Sequence, residues 1–232
     1  MAGVQAIVLL IIIPAIAWSV ALFLLRRARE ELEREGPPEA ADERSPGRIV
    51  VYVGFSGAPL VFGIILYVLA RPVLDAIDGP AAITFVRLEP VLFWAAFAFA
   101  AAACSAIAAQ TWIVSSRLRA FMGPGFGRVF SLSAVPTTAV IFAVISTFLL
   151  LGYADSVPAT GPAASDSALA SAIGSFQAFA VGTIAFPVAA GFANRFRDLS
   201  QRGFVRAIRI LEVGELPVVV GLVLIFLSLR AL

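Results

Sequence analysis

Glu215 interrupts a run of apolar residues that is otherwise typical of a membrane-spanning helix, and Pro217 follows it in the stretch VGELPVVVG. A charge at the bilayer centre costs from ~3 to more than ~10 kcal/mol, and such residues usually mark ion or proton pathways. Glu215 is 12 residues from Gly203 and 15 from Arg230, which predicts a position near mid-membrane. A carboxyl that is protonated against lipid and ionises on meeting water or an arginine is a reversible ion carrier. The alternative is a structural role, in which Glu215 hydrogen-bonds a neighbouring helix.

Three groups are candidates to support an ion or a proton at Glu215. Pro217 lacks a backbone N–H, which frees the carbonyl of Val213 one turn from the carboxyl. Thr183 is predicted to lie at the same depth on the preceding helix, because it is as far as Glu215 from the middle of the connecting turn. Gln177 lies further from that turn and is the weaker candidate.

The composition is that of an integral, multi-pass membrane protein. Of the 232 residues, 60% are hydrophobic, and the mean hydropathy is +0.97, which excludes an ordinary soluble domain. About 20 apolar residues cross a ~30 Å hydrocarbon core as a helix. Six stretches qualify, so the predicted fold is all-α with six transmembrane helices: 4–25, 49–70, 91–116, 129–152, 167–193 and 204–229.

The distribution of arginine predicts the orientation of these helices. The net charge of +2 is too small to indicate nucleic acid as a partner, and all 17 basic residues are arginine. They concentrate in the first, third and fifth connections, so by the positive-inside rule these connections face the cytoplasm and both termini lie outside. Arginines follow the first apolar run rather than precede it, so we interpret that run as a retained helix and not as a signal peptide. The arginines of the three connections are Arg26, Arg27, Arg29, Arg34, Arg44 and Arg48, then Arg117, Arg119 and Arg128, then Arg195, Arg197 and Arg202.

The sequence offers little to metals or to catalysis. Histidine is absent, which removes the commonest metal ligand and general base. Cys104 is the single cysteine and lies inside the third apolar stretch, so there is no disulfide framework. We therefore predict no catalytic residue and no cofactor, and we assign no residue to a metal site.

A repeat of about eighty residues relates three of the apolar stretches. They align without gaps when their first arginines, Arg48, Arg128 and Arg206, are superposed. The predicted unit is a helical hairpin with a cytoplasmic turn. It occurs as a diverged copy at 1–70 with a charged loop at 26–48, a second copy at 91–152 without the carboxylate, and a third at 167–232 that carries it. The position nine residues after the arginine is in turn Gly57, Thr137 and Glu215, and six residues further come Gly63, Ala143 and Gly221.

These motifs resemble the proteolipid (subunit c or subunit K) of V-type and archaeal A-type rotary ATPases. That family runs approximately Phe-Gly-Arg, then Ala-Leu-Pro-Glu-Thr, then Tyr-Gly. This chain has FGRVFSLSAVPTTAVIFA from Phe126, with Thr137 where the carboxylate belongs, and FVRAIRILEVGELPVVVG from Phe204, with Glu215 in place. It departs from the family because two of the three hairpins lack the acid, and because Leu216 and Pro217 replace the polar residues that usually follow it.

The resemblance implies a proton-translocating subunit of a rotor ring in a prokaryotic cell membrane, with no catalytic site of its own. Expected partners are other copies or homologous proteolipids, a stator membrane subunit that supplies an arginine and half-channels, central-stalk subunits at the cytoplasmic loops, and the lipid bilayer. The residues just after Glu215 have no side-chain oxygens, which favours H⁺; a sodium-coupled ring is the alternative. Two other classes stay open: a six-helix secondary transporter or channel, and a structural membrane assembly protein.

Overall fold

A computed structural model describes residues 2–34, 45–78, 83–156, 164–196 and 199–232. Within these residues all regular secondary structure is helical. Six helical segments are long and apolar enough to cross a membrane, which confirms the six predicted spans. Residues 35–44 of the charged loop and Arg197 of the fifth connection lie outside the described residues.

The helices are longer than the apolar stretches because several continue into polar sequence at the ends. The first span, for example, continues to Arg34 through three ion pairs between residues four apart, such as Arg26 with Glu30. The first span consists of helices Ala2–Ile7 and Ile13–Arg34 around the π-helical turn Val8–Ile12. The second, third and sixth spans are the single helices Ser45–Asp78, Ile83–Ser116 and Gln201–Leu229. The fourth span consists of Phe126–Ala134 and Thr137–Ser156 and the fifth of Asp166–Gly182 and Ala185–Ala193, and the short helix Leu118–Met122 lies between the third and fourth spans.

The third span is the centre of the molecule. It packs against the first, second, fourth and fifth spans. Lipid gives helices no hydrophobic reason to associate, so small side chains that allow close approach supply the packing. The buried alanines of the third span are Ala95, Ala96, Ala98, Ala100, Ala102, Ala103, Ala106 and Ala109.

The six spans form two layers. The first, third and fifth spans contact one another in that order, and the second, fourth and sixth do the same. Contacts between the first and second, the third and fourth, and the fifth and sixth spans join one layer to the other. A carboxylate on the sixth span therefore belongs to the layer of even-numbered spans.

Glycines bring the fifth and sixth spans into backbone contact. A Cβ atom on Gly221 would lie 2.6 Å from the Cα atom of Phe179, and one on Gly182 would lie 2.9 Å from the carbonyl oxygen of Pro217. These two contacts are antiparallel in register, so the helices run close together over several turns. The buried residues of the sixth span repeat at steps of three and four, as one packed face requires: Gly203, Ala207, Leu211, Gly214, Val218, Gly221, Ile225 and Ser228.

Prolines alter the helical hydrogen bonding of the first and fourth spans. Pro14 has no N–H, and the preceding turn is π-helical, with Ile13 N–H donating to the carbonyl of Val8. The carbonyl of Leu10 also loses its usual donor, and it lies where a side chain on Gly63 of the second span would be. In the fourth span the helix is interrupted at Val135 and Pro136.

The fifth span is interrupted at Thr183 and Ile184. Pro187 cannot donate to the carbonyl of Thr183, which accepts instead from Phe186 N–H at 3.1 Å. The apolar runs alone do not predict the interruptions of the fourth and fifth spans, because both halves of each span remain hydrophobic.

Arginines tie the odd-numbered connections together at one end of the molecule. Arg48 donates to the carbonyls of Met122 and Gly123, both at 2.7 Å. Arg117 is buried and donates to the side chain of Asn194 and, at 2.8 Å, to the carbonyl of Ala193, where the fifth span ends. A cation at the carboxyl end of a helix is favoured by the helix dipole. The start of the second span is therefore bound to the third connection, and the third connection to the end of the fifth span.

Candidate functional site at the centre of the sixth span

Glu215 lies at the centre of a continuous helix. It is fourteen residues from each end of Gln201–Leu229, or about 21 Å at 1.5 Å per residue. Its side chain is half-buried, whereas the side chains of Val213 and Leu216 beside it are 65% and 59% exposed. The carboxyl therefore sits on the edge between the packed face of the helix and the face that meets lipid.

Apolar side chains extend above and below Glu215 on its side of the helix. Ile208, Leu222 and Leu229 lie seven or fourteen residues away, which places them on nearly the same side as the carboxylate. All three are partly buried and pack against the core. Glu215 is the one acidic residue among these positions, and Glu212, three residues earlier and on nearly the same face, is exposed.

No hydrogen bond or ion pair joins Glu215 to any other residue that the structure describes. Glu212, one turn earlier, is exposed. The described residues also contain no group of three or more cysteine and acidic side chains that could hold a metal ion. The chemistry available at this position is that of a single carboxyl group.

Thr183 lies close to the expected depth, since its neighbour Gly182 packs against Pro217. Its hydroxyl, however, is fully buried and turned toward the third span. It donates to the carbonyl of Ala180 at 2.7 Å and accepts from the hydroxyl of Ser105 at 3.2 Å. The structure therefore does not bring Thr183 and Glu215 together, because the interrupted helix directs this side chain to a different neighbour.

The other two predicted supporting groups, Val213 and Gln177, make no described contact with the Glu215 side chain. Val213 is on the same turn as Glu215, and Pro217 lies inside the helix, so the Val213 carbonyl lacks its usual donor. Gln177 is half-buried on the fifth span, and its side chain makes no hydrogen bond with a described residue.

The two residues that replace the carboxylate in the other repeats are both packed against the preceding span. A Cβ atom on Gly57 would lie 3.3 Å from the indole ring of Trp18, so the ring occupies the space beside it. The hydroxyl of Thr137 accepts a hydrogen bond from the side-chain amide of Gln110 at 2.8 Å. Both positions are half-buried, as Glu215 is, but each has a neighbour on the preceding span, whereas Glu215 makes no described contact.

Polar groups of the third span form a set of contacts that our sequence analysis missed. Ser105 bonds Thr183 of the fifth span, Gln110 bonds Thr137 of the fourth, and Thr111 bonds Tyr52 of the second at 3.1 Å. Gln110 is fully buried, and its Oε1 atom has no hydrogen-bond donor among the described residues. The one glutamine in an alanine-rich run was a signal that could have identified this set, because lone polar residues in spans usually bond to other spans.

The six apolar helices define an integral, multi-pass membrane protein. Comparison with known proteins adds no family to this class. No protein-family model matches the chain, no curated protein matches its sequence, and no solved structure matches its fold.

Proposed function

We propose that the chain is a proton-translocating rotor-ring (proteolipid) subunit of a membrane rotary ATPase or ATP synthase, in which Glu215 carries the ion. The proposal depends chiefly on the position of Glu215, which is at the centre of its span, half-buried at the edge of the packed face, and without a partner in the described part of the chain. A carboxyl group at the centre of a membrane span has a high free-energy cost of insertion. Without a protein contact to break, it can take up and release a proton at the lipid-facing edge.

The two-layer packing supports a place in a ring. Three tandem hairpins side by side would give an inner layer of odd-numbered spans and an outer layer of even-numbered spans, and these are the contacts that the spans make. Glu215 belongs to the even-numbered layer, where a stator on the outside of a ring could reach it. In this arrangement both termini lie outside, and the arginine-rich connections face the cytoplasm.

The arginine-rich end supports a docking role for central-stalk subunits. Arg48, Arg117 and Arg128 hold the connections to one another. Arg202 and Arg206 lie beside them and are exposed. A stalk would therefore meet a surface whose shape is fixed from within and whose exposed charge is positive.

A single carboxylate in three hairpins sets the ratio of ions to ATP. If packing fixes the number of hairpins in a ring, one acid in three carries fewer ions per turn. Moving one charge against 100 mV costs about 2.3 kcal/mol, so fewer ions per ATP suits pumping against a steep gradient. We propose H⁺ as the ion because no side chain of the described residues makes a hydrogen bond with Glu215, whereas Na⁺ requires several oxygen ligands.

A second candidate function has a specific observation in its favour. Secondary transporters often bind their substrate where transmembrane helices are discontinuous. The fourth and fifth spans are interrupted, and Thr137 and Thr183 at the interruptions bond to Gln110 and Ser105 of the third span. A proton-coupled six-helix transporter would use these polar groups together with Glu215.

Carbodiimide labelling tests the role of Glu215. A hydrophobic carbodiimide reacts with a protonated carboxyl in an apolar site, so we expect labelling at Glu215 that falls as pH rises. The Glu215→Gln variant should lose the label, and the matched variant Glu212→Gln should keep it, because Glu212 is exposed. Protection of Glu215 from labelling by sodium would support a rotor subunit that carries Na⁺ instead of H⁺. A wild-type chain that is not labelled at Glu215 would refute the ion-carrier proposal.

Reconstitution separates the rotor from the transporter. The full chain alone in proteoliposomes, with a potassium diffusion potential and an internal pH dye, should show no proton flux if it is a rotor subunit that needs a stator. Native mass spectrometry of the same sample should show closed rings of several copies. Proton flux through the chain alone that is lost in Glu215→Gln would refute the rotor and support the transporter.

A further inference from the structure

An open groove of about 710 Å³ lies between the first and third spans. This volume is within the ~300–1,000 Å³ of typical ligand sites. Its walls are mainly aliphatic in the membrane and become charged at one end. The lining residues that define the groove are Ala17, Leu24, Arg27 and Glu31 of the first span, with Ala108 and Trp112 of the third.

The groove extends over the depth of one leaflet. On the first span it runs from Ala17 to Glu31, fourteen residues or about 21 Å of helix. On the third span it runs from Cys104 to Ser115, about 17 Å. Half of a ~30 Å hydrocarbon core is about 15 Å, so the apolar part matches an acyl chain and the charged part lies at headgroup depth.

The charged end of the groove is positive overall. A second opening of about 500 Å³ adjoins it through Glu31 and Ser115 and is also lined by Arg117 and Arg119. The two openings together are lined by Arg27, Arg117 and Arg119 and by one acidic residue, Glu31. Arg27 uses its Nε atom for Glu31 at 3.2 Å, and no described residue accepts from its terminal nitrogens.

We propose that this groove binds one anionic phospholipid, with an acyl chain against Ala108 and Trp112 and the phosphate beside the terminal nitrogens of Arg27. Arginine recognises phosphate oxygens through its fork of N–H donors, which favours an anionic headgroup over a zwitterionic one. The arginine-rich end is the cytoplasmic end by the positive-inside rule, and anionic lipids are concentrated in that leaflet. The inference does not depend on the proposed function.

A lipid fits the groove better than a protein segment does. Both walls belong to this chain, and the apolar part lies between two membrane-spanning helices, where acyl chains are the surrounding medium. Trp112, which lines the groove on the third span, is 52% exposed, which leaves a large flat surface for an acyl chain to cover. The charges lie only at the headgroup end, as they must for an amphiphile.

Native mass spectrometry with matched lipids tests the inference. The full chain in detergent is mixed with phosphatidylglycerol or with phosphatidylcholine of the same acyl chains, and lipids that survive collisional activation are counted. We expect one retained phosphatidylglycerol per chain and at least tenfold less phosphatidylcholine. Equal retention of the two lipids would overturn the anionic assignment.

Two variant pairs locate the site. Arg27→Gln should lower phosphatidylglycerol retention about tenfold, and Arg29→Gln should not, although both remove an ion pair between residues four apart on the same helix. Ala108→Trp should fill the groove and prevent retention, whereas Ala178→Trp, at an exposed position of the fifth span, should not. Retention in both Arg27→Gln and Ala108→Trp, or equal loss in the control variants, would place the lipid elsewhere and overturn the proposal.

Discussion

Replacement of Gly221 by alanine tests whether the fifth and sixth spans are held in backbone contact. The added Cβ atom would lie 2.6 Å from the Cα atom, 2.9 Å from the Cβ atom and 3.1 Å from the nitrogen of Phe179. These three atoms are backbone or directly attached to it, so no side-chain rotation relieves the clash. The two helices must move apart at this level, or one of them must bend.

The size of the effect follows from these distances. Carbon atoms in contact prefer a separation of about 3.5–4.0 Å, so the spans must separate locally by about 1 Å. Overpacking of this kind costs about 1–3 kcal/mol, and we take the upper end because the opposing atoms cannot move aside. Alanine also gains about 1 kcal/mol of helix propensity over glycine. The expected net loss is about 2 kcal/mol, or about 4–8 °C in the unfolding midpoint of a chain of this size.

The assay is the temperature at which half of the detergent-purified protein leaves the monodisperse peak in size-exclusion chromatography. Gly174→Ala is the matched control, because Gly174 lies in the fifth span and a Cβ atom there meets nothing within 4 Å. It should gain the helix propensity without the clash and unfold up to about 4 °C higher than wild type. The two substitutions therefore shift the midpoint in opposite directions.

An unchanged or higher midpoint for Gly221→Ala would refute the close contact between the two spans. A decrease of similar size in the unfolding midpoint of Gly174→Ala would also refute the close contact. The loss of stability would then be a general effect of replacing glycine by alanine. The small residues at 182 and 214 would then need another explanation as well, since their packing is argued from the same register.

Other substitutions test contacts elsewhere in the chain. Gly63→Ala should destabilise the protein by about 3 kcal/mol in the same thermal assay, because the carbonyl that meets Gly63 belongs to the first span. Arg117→Gln should cost about 3 kcal/mol by freeing buried acceptors at the end of the fifth span, whereas Arg202→Gln, at an exposed arginine without a described partner, should change stability by less than about 0.5 kcal/mol. Thr137→Val should cost about 1–3 kcal/mol of stability, because it leaves the side-chain amide of Gln110 without a partner. The double variant Thr137→Val with Gln110→Leu should recover most of this loss. A double variant as unstable as Thr137→Val alone would contradict the pairing of the two residues.

The six spans could be predicted from the sequence because each depends on its own residues. A run of about 20 apolar side chains is stable in lipid, and the helix satisfies its own backbone hydrogen bonds. The close approach of glycines to a neighbouring span also has a local signal, because small residues recur at steps of three or four along the fifth span: Ala178, Gly182, Ala185, Ala189 and Ala193. Ala178, however, belongs to that pattern and is exposed, so the pattern indicates a face without fixing its extent.

The helix interruptions could be predicted only in part. Pro14, Pro136 and Pro187 each lack a donor, which weakens a helix one turn before the proline. The same chemistry at Pro217 leaves the sixth span continuous. A missing hydrogen bond can lead to a π-helical turn, to a break or to an unchanged helix. The outcome depends on which groups of the neighbouring spans contact the helix at that level.

The sequence by itself determined that this is a membrane protein of six spans, that its arginines concentrate at one end, and that a carboxylate stands mid-span at Glu215. Tertiary structure alone decided that Thr183 faces Ser105 rather than Glu215, that Gln110 bonds Thr137, and that a groove opens between the first and third spans. A span forms when its own side chains are apolar enough for the bilayer and its backbone hydrogen bonds are made within the helix. Its partners depend on the rotation of each helix about its axis, which is set by close packing against spans distant in sequence.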